Sequence, residues 1–330
     1  MMKPRILLVG LGKFGKNHFR VLKKLERVGL CELYGVVDTN SKVLNNYKGQ
    51  VARFSTDYHD FLDCVDAVDI VTPAHTHYAI TRECLEASKH VFVEKPLALS
   101  YNDARELVHL AKDQGVILMV GHIFRYNKAV SRIKDIVRRG EIGEVYYLFG
   151  HFMGLKNPRS DVGVVFNYIH HIDIYDYILE KMPTEILCSA GYFLGREEFE
   201  DAAVIILKYP PKIFGVIEVS WMTPKSIRDI TVIGSKKALT IDLLKDYLEL
   251  HDVSIESCEG QYKAMAKGAI RVDLNHARAR EEPLLLELRG FIESIKSGQE
   301  PLASGQVALR SIKIAEKALE SAKIGRKVYL

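Results

Sequence analysis

The chain has 330 residues, of which 48% are apolar and 27% charged, and its formal net charge is +4. This length normally makes two domains or one large one. The small net charge argues against a nucleic-acid partner, and no stretch is apolar for long enough to predict a membrane-spanning helix. The five cysteines are scattered without a CxxC pair, which indicates neither a disulfide framework nor a metal site and favours a reducing, cytoplasmic compartment.

The first third of the chain alternates apolar strands with helices. In the first helix, residues 17–26, the apolar spacing of Phe19, Leu22 and Leu25 leaves His18 off the apolar face. Strands without polar alternation, separated by helices, are typical of a parallel sheet covered on both faces. The pattern predicts a doubly wound α/β domain of the Rossmann type over residues 1–121, with strands at 5–9, 32–37, 68–71, 91–93 and 116–120.

After Gly121 strands follow one another closely, and only one helix, about 168–179, interrupts them. This rhythm predicts an α+β domain with a large, mostly antiparallel open sheet over residues 122–330, ending in a helical tail. The strand from Ala203 to Leu207 is apolar on both faces. A sheet covered by few helices but apolar on both sides needs another partner, so we expect a homodimer or homotetramer that forms through this sheet.

A glycine-rich turn, Gly10-x-Gly12-x-x-Gly15, lies between the first strand and the first helix. In dinucleotide-binding units the first glycine permits a tight turn, the second lets the backbone approach a pyrophosphate, and the third lets helix and strand pack closely. The diphosphate charge then lies at the positive end of the helix. The alternative interpretation is a glycine-rich turn without a ligand.

The second strand is followed by Asp38. A carboxylate about 20 residues after the glycine motif accepts hydrogen bonds from the adenosine ribose and repels a 2′-phosphate. This position therefore predicts NAD rather than NADP as the cofactor, although Lys42 nearby has the opposite charge.

An acid and a base, Glu94 and Lys95, stand directly before Pro96 at the end of the strand 91–93. Ligands of doubly wound sheets bind at the carboxyl ends of strands, where Thr72 and Pro73 also lie. Adjacent residues on a strand point to opposite faces, so Glu94 and Lys95 are not expected to pair. We interpret Lys95 as a donor to a substrate oxygen. The alternative is a surface ion pair, which contributes almost nothing to stability.

Read in order, the motifs GLGKFG, TPAHTH and VEKP resemble the Gfo/Idh/MocA oxidoreductases, which are NAD(P)-dependent dehydrogenases of sugars and cyclitols. The segments GHIFRYNKAV and HHIDIYDYIL resemble the branch that contains UDP-N-acetylglucosamine 3-dehydrogenases. The resemblance implies that Lys95 is catalytic and that its bond to Pro96 is cis. It also implies that the cofactor is bound by Gly10, Gly12, Phe14, Gly15, Asp38, Thr39, Thr72, Pro73, His77, Glu94, Lys95 and Arg125.

The family usually carries D-x-x-x-H in its second domain, with the histidine as general acid/base, and here residues 166–173 read FNYIHHID. His170 fits the family's H-x-I-D-I pattern, whereas His171 lies four residues after Asn167, which replaces the aspartate. On one helix Asn167 can approach either histidine. We interpret His170 as the acid/base and Asn167 as the residue that orients it. A structural histidine is the alternative for both.

These inferences predict an NAD-dependent dehydrogenase that acts on a secondary alcohol of a sugar or nucleotide sugar, with Lys95 and His170 acting on the same oxygen. Because Asn167 lacks the aspartate's charge, the second hypothesis is a dinucleotide-dependent binding or regulatory protein on a catalytically decayed scaffold. A basic run that could meet a nucleotide diphosphate, or form a solvated face, comprises Lys263, Lys267, Arg271, Arg278 and Arg280.

Overall fold

The computed structural model describes residues 3–245, 247–258, 261–272, 274 and 281–330, without the side chains of 254–258 and 262. Two compact units divide the chain. Unit 1 comprises Met1–Ile123 and Glu281–Ile312, and unit 2 comprises Phe124–Arg280 and Lys313–Leu330. The predicted division after residue 121 placed residues 281–312 in the second domain, whereas they lie in unit 1. Within the described ranges, no helix combines the length and hydropathy needed to cross a bilayer.

Unit 1 is built on a six-stranded parallel sheet with strand order β3-β2-β1-β4-β5-β6. This is the doubly wound order, in which the direction of winding reverses between β1 and β4, and it confirms the predicted Rossmann-type fold. The strands are β1 (Arg5–Val9), β2 (Glu32–Val37), β3 (Phe54–Ser55), β4 (Ala67–Ile70), β5 (His90–Val93) and β6 (Leu118–Val120). The helices are α1 (Gly15–Arg27), α2 (Ser41–Asn45), α3 (His59–Leu62), α4 (Ala74–Glu86), α5 (Tyr101–Asp113) and α9 (Pro283–Ser297).

Helix α9 belongs to unit 1 because its apolar face packs on the Rossmann core. The Phe291 ring meets the ring of Phe92 on β5 edge-on, with centroids 5.8 Å apart. The Lys296 Nζ donates a hydrogen bond of 2.7 Å to the Leu30 carbonyl oxygen. Both contacts join residues far apart in sequence, so helical periodicity in the tail predicts the helix but not its location.

Unit 2 contains a nine-stranded sheet with order β14-β13-β12-β11-β7-β10-β9-β8-β15. Only β7 and β10 pair in parallel, so the predicted mostly antiparallel sheet is confirmed. The strands are β7 (Val145–Met153), β8 (Glu185–Gly191), β9 (Ala202–Tyr209), β10 (Ile213–Ser220), β11 (Ile227–Gly234), β12 (Ala238–Asp242), β13 (Tyr247–Cys258), β14 (Gln261–Val272) and β15 (Val328–Tyr329). The helices are a 3-10 turn (Ile123–Tyr126), α6 (Lys128–Arg138), α7 (Val164–Asn167), α8 (His170–Leu179) and α10 (Gly305–Ile324), whose first residues belong to unit 1.

Two features of unit 2 differ from the sequence prediction. The sequence prediction missed α6, which precedes the strands and has Asn127 as its N-cap, accepting bonds from the Ala129 and Val130 amides, and it missed the short α7 before the predicted helix. The long hairpin β13–β14 was not among the predicted strands. Lys263, Lys267 and Arg271 lie exposed on β14, whereas Arg278 and Arg280 lie outside the described residues.

The two faces of the large sheet differ in burial. Ala203, Ile205 and Leu207 on β9 are buried, with at most 4% of their surface exposed. Val204, between them, is 40% exposed. In unit 2 this sheet therefore has a covered face and an open face that still carries apolar side chains.

Candidate active site

The glycine-rich turn of unit 1 depends on its first and third glycines for steric reasons. Gly10 has a φ of +99°, a conformation that residues with a Cβ rarely adopt, and a Cβ there would also overlap the Val71 carbonyl. A Cβ on Gly15 would overlap the carbonyl of Gly10. A Cβ on Gly12, by contrast, would meet no atom of the described residues within 4 Å. Gly12 therefore leaves open space where a ligand can approach the backbone.

The N-terminus of α1 and the end of β2 fit a dinucleotide. The first turn of α1 has no acidic side chain, and Phe14 supplies no side-chain cap, so the positive end of the helix dipole is not neutralised locally. Asp38 Oδ2 accepts a 2.8 Å bond from the Leu11 amide and Oδ1 accepts a 2.9 Å bond from Asn40. Each carboxylate oxygen keeps a further lone pair for a ribose hydroxyl. This part of unit 1 would hold NAD, with Thr39 exposed beside Asp38.

The loop after β4 is held by His77. Its Nδ1 lies 2.7 Å from the Pro96 carbonyl oxygen and its Nε2 lies 2.9 Å from that of Thr72. The side chain is 1% exposed. His77 thus joins the Thr72-Pro73 loop to the turn containing Lys95, and its predicted direct contact with the cofactor stays a prediction.

The turn after β5 presents Lys95 next to a mostly buried acid. The Lys95–Pro96 peptide bond is cis, as the family resemblance implies. The Glu94 carboxylate is 12% exposed, and its Oε2 accepts a 3.3 Å bond from the Lys95 amide. A Cβ on Gly121 would lie 2.6 Å from Glu94 Oε1, so only glycine leaves room for this carboxylate. Glu94 therefore points into unit 1, and its predicted contact with the cofactor stays a prediction.

Glu94 is part of a buried ionic network with His18 and Asp69 that the sequence interpretation missed. His18 of α1 is fully buried, although the sequence placed it off the apolar face. Its Nδ1 lies 2.9 Å from Asp69 Oδ2 and its Nε2 lies 3.3 Å from Glu94 Oε1. Burial alone would lower the pKa of His18, but the carboxylates of Asp69 and Glu94 outweigh it and raise that pKa to about 10. A protonated His18 thus fixes Glu94 beside the Lys95 peptide. The available signal was Asp69, an acid inside an apolar strand that needs a buried partner.

In unit 2, Asn167 and His170 do not share one helix. Asn167 is the last residue of α7, and His170 is the first residue of α8 after a turn at Tyr168 and Ile169. The argument from helical spacing, in which Asn167 can reach either histidine, therefore does not apply. The half-buried His170 ring contacts two aromatic rings, with centroids 4.9 Å from Phe124 and 5.6 Å from Phe152.

His171 has the environment of a structural residue. It is fully buried, and its Nε2 lies 3.0 Å from the Asp229 carbonyl oxygen. A Cβ on Gly150 would lie 2.7 Å from its Cδ2, so the imidazole packs directly against the backbone of β7. Burial lowers the pKa of His171 to about 4, which keeps the ring neutral at neutral pH. Of the two histidines, only His170 is partly exposed.

Arg125 is neutralised within unit 2. Its Nε donates a 2.7 Å bond to Asp173, and its Nη2 donates a 3.0 Å bond to Asp176. The side chain is 6% exposed. These bonds link the 3-10 turn to α8, so they show a structural role, and the predicted cofactor contact of Arg125 stays a prediction.

Comparisons with known proteins cover nearly the whole chain. Residues 4–122 match the model of an oxidoreductase family with an NAD-binding Rossmann fold, and residues 134–330 match the C-terminal alpha/beta domain of the same family. The myo-inositol 2-dehydrogenase of Thermotoga maritima is 27% identical, over 99% of this chain and 98% of that protein. The UDP-N-acetylglucosamine 3-dehydrogenase of Acidithiobacillus ferrooxidans is 28% identical, over 96% of both proteins. The solved structure of the latter superposes with a TM-score of 0.83 at 21% identity, covering 98% of this chain and 99% of that chain.

The doubly wound sheet, the glycine turn and the matched domain pair define an NAD-binding oxidoreductase. The chain belongs to the Gfo/Idh/MocA oxidoreductase family. Lys95 is part of unit 1 and His170 is part of unit 2, and their joint action on one substrate oxygen stays a prediction.

Proposed function

We propose that this oxidoreductase transfers a hydride between nicotinamide and a secondary alcohol or ketone of a sugar or polyol, and that its substrate is a nucleotide sugar. The main support is the Lys95 turn, which lies at the carboxyl end of β5 in an NAD-binding sheet and is fixed by the cluster of Glu94 and His18. Two relatives bear the names of enzymes for such substrates, an inositol dehydrogenase and a UDP-N-acetylglucosamine dehydrogenase.

In the oxidation direction, the alcohol loses a hydride from carbon and a proton from oxygen. NAD, held by the glycine turn and Asp38, would supply the hydride acceptor. The Lys95 ammonium donates a hydrogen bond to the substrate oxygen and stabilises the negative charge that grows there. His170 accepts the hydroxyl proton as general base and returns it in the reverse reaction. The products are a ketone, NADH and a protonated His170.

The test is NADH formation, followed by absorbance, with UDP-N-acetylglucosamine, N-acetylglucosamine and myo-inositol as substrates. We expect turnover of at least one of them, and faster turnover with NAD than with NADP because the Asp38 carboxylate repels a 2′-phosphate. Equal rates with both cofactors would contradict the assigned role of Asp38.

The second candidate function is dinucleotide-dependent binding or regulation on a decayed scaffold. Its support is Asn167, which can orient an imidazole but cannot stabilise an imidazolium with a full charge. The same assay separates the two candidates. Tight NAD binding without turnover of any of the three substrates would overturn the dehydrogenase proposal and favour this one.

We also propose that the open face of the large sheet binds a second copy of the chain. Tyr147 on this face stacks on Phe214 with ring centroids 5.0 Å apart, and Phe149 lies 5.9 Å from Tyr147. Phe214 and Leu187 are 41% and 42% exposed, and Val204 is 40% exposed. Contiguous exposed apolar side chains on one sheet face are typical of an interface.

Light scattering on the Phe214→Glu variant tests this interface. We expect the wild type to be a dimer or tetramer and the variant to be a monomer, because the new carboxylate would be buried without a partner. The Leu302→Glu variant is the control, since Leu302 is 43% exposed and belongs to unit 1. A monomeric wild type would refute the proposal.

A further inference from the structure

Phe152 is the centre of a group of side chains on the covered face of unit 2. Its ring stacks on Tyr168 with centroids 4.6 Å apart, and the His170 ring lies 5.6 Å away. Arg228 pairs with Phe152 across β7 and β11, which places both side chains on the same face of the sheet. The guanidinium carbon lies 4.7 Å from the Phe152 centroid. We call Phe152, Tyr168, Arg228 and Lys156 the cation–aromatic cluster.

Arg228 is a desolvated cation that lacks a counter-ion. It is half-buried, and burial lowers its pKa, with Tyr168 as the nearby group that opposes this effect. Among the described residues its Nε is buried without a hydrogen-bond partner, and no carboxylate is among the charged groups that act on it. The buried Arg125, by contrast, meets two aspartates. A desolvated charge without a partner is costly, so native proteins usually pair it or use it to bind a ligand.

Tyr168 adds an unpaired polar atom next to this cation. The residue is 4% exposed, and its hydroxyl is buried without a hydrogen-bond partner in the part of the chain that the structure describes. Burial raises the pKa of Tyr168 while Arg228 acts in the opposite direction, so the two groups are close enough to interact electrostatically. The hydroxyl is therefore protonated at neutral pH and able to donate to an acceptor.

A second cation lies over the same pair of rings. The Lys156 Nζ is 5.4 Å from the Tyr168 centroid and 5.6 Å from the Phe152 centroid. Lys156 is exposed, so it can reach a ligand without losing all of its hydration. Together, the cluster presents two positive charges and a hydroxyl donor next to His170.

We propose that the cation–aromatic cluster binds an anionic group of the substrate, a carboxylate or a phosphate, and so selects acidic sugars over neutral ones. This inference rests on the proposed function, because it assigns the substrate class of the same enzyme. Arg228 supplies a planar pair of donors that suits either anion, and Lys156 adds a second charge. The basic residues on β14 take no part in it.

The test is calorimetric binding in the presence of NAD. UDP-N-acetylglucosamine and glucuronate represent the phosphate and carboxylate sources, and N-acetylglucosamine is the neutral probe. We expect the wild type to bind one of the anionic probes more tightly than the neutral one. The Arg228→Met variant is expected to lose about 10- to 100-fold of that affinity, the effect of one charge-assisted hydrogen bond, and to keep its affinity for the neutral probe. The Arg228→Lys variant is expected to regain part of the loss.

Arg271→Met is the matched control. Arg271 also lies over an aromatic ring, 5.1 Å from the Tyr247 centroid, but on the exposed strand β14. Equal weakening of anionic and neutral probes by Arg228→Met, or a larger loss from Arg271→Met, would overturn the proposal. Turnover of a neutral polyol without preference for anions would refute this subsite and leave the dehydrogenase function intact. If Arg228→Met selectively loses anion binding and the protein never forms NADH, the subsite stands and the dehydrogenase function is refuted.

Discussion

The Lys95→Ala variant is expected to lose turnover by about 10²- to 10⁴-fold while it still binds NAD. The magnitude is that of removing a proton-transfer or oxyanion-stabilising group from the reaction centre. Binding should persist because the glycine turn and Asp38 belong to other loops of unit 1. Two quantities are compared between the wild type and Lys95→Ala. The first is kcat, measured on the substrate that the NADH assay identifies, and the second is the Kd for NADH, measured by fluorescence titration.

Lys112→Ala is the control for this experiment, since Lys112 is an exposed lysine on α5 of the same unit. It should leave both kcat and Kd unchanged. Full turnover by Lys95→Ala would refute the mechanism, and an equal loss of NADH affinity would assign Lys95 to cofactor binding instead of chemistry.

Replacing each of the two adjacent histidines by asparagine is expected to affect a different property, turnover for His170 and stability for His171. His170→Asn should lower kcat by about 10²- to 10⁴-fold with little change in stability, because His170 is partly exposed and is the proposed proton acceptor. His171→Asn should keep the chemistry but lower the free energy of unfolding by about 1–3 kcal/mol, because the buried Asp229 carbonyl loses its partner. Steady-state rates and urea unfolding of both variants separate these outcomes. Loss of turnover in a well-folded His171→Asn protein would assign the acid/base to His171.

The pH dependence of stability gives a second measure of His171. Its pKa is about 4 in the folded chain, below the roughly 6.5 of an unfolded histidine. Between these values the unfolded chain binds more protons, so this histidine makes stability fall as the pH drops from about 6.5 towards 4. We expect the urea midpoint to fall less on acidification in His171→Asn than in the wild type. The control is His109→Asn, because His109 is exposed on α5, and its urea midpoint should change with pH as that of the wild type does. Identical profiles for all three proteins would contradict the burial of a neutral His171.

Local sequence patterns were sufficient for the parts of the fold that depend on near neighbours. The glycine-rich turn at Gly10 and Gly15 and the strand before Lys95 both follow from turn chemistry and hydrophobic spacing. Gly10, for example, has the positive φ of +99° that the tight turn requires. The same patterns predict the doubly wound sheet, because its strands are apolar on both faces.

Interactions between distant residues account for what the sequence could not predict. His18 looks like a solvated residue until Asp69 of β4 and Glu94, which follows β5, place two carboxylates beside it. Arg228 carries no sequence signal, since its distinguishing property is that no carboxylate within the described ranges acts on its charge. The turn between α7 and α8 breaks a stretch that reads as one helix, so the relation of Asn167 to His170 also required coordinates.

The return of residues 281–312 to unit 1 has a consequence for biosynthesis. A ribosome releases the glycine turn, Asp38 and Lys95 early, yet the surface that Phe291 covers on Phe92 is sealed only when the chain is almost complete. The nucleotide-binding half is thus the first to be translated and among the last to be finished. A fragment cut after residue 123 would carry every cofactor motif of that half but would leave part of its core open to water.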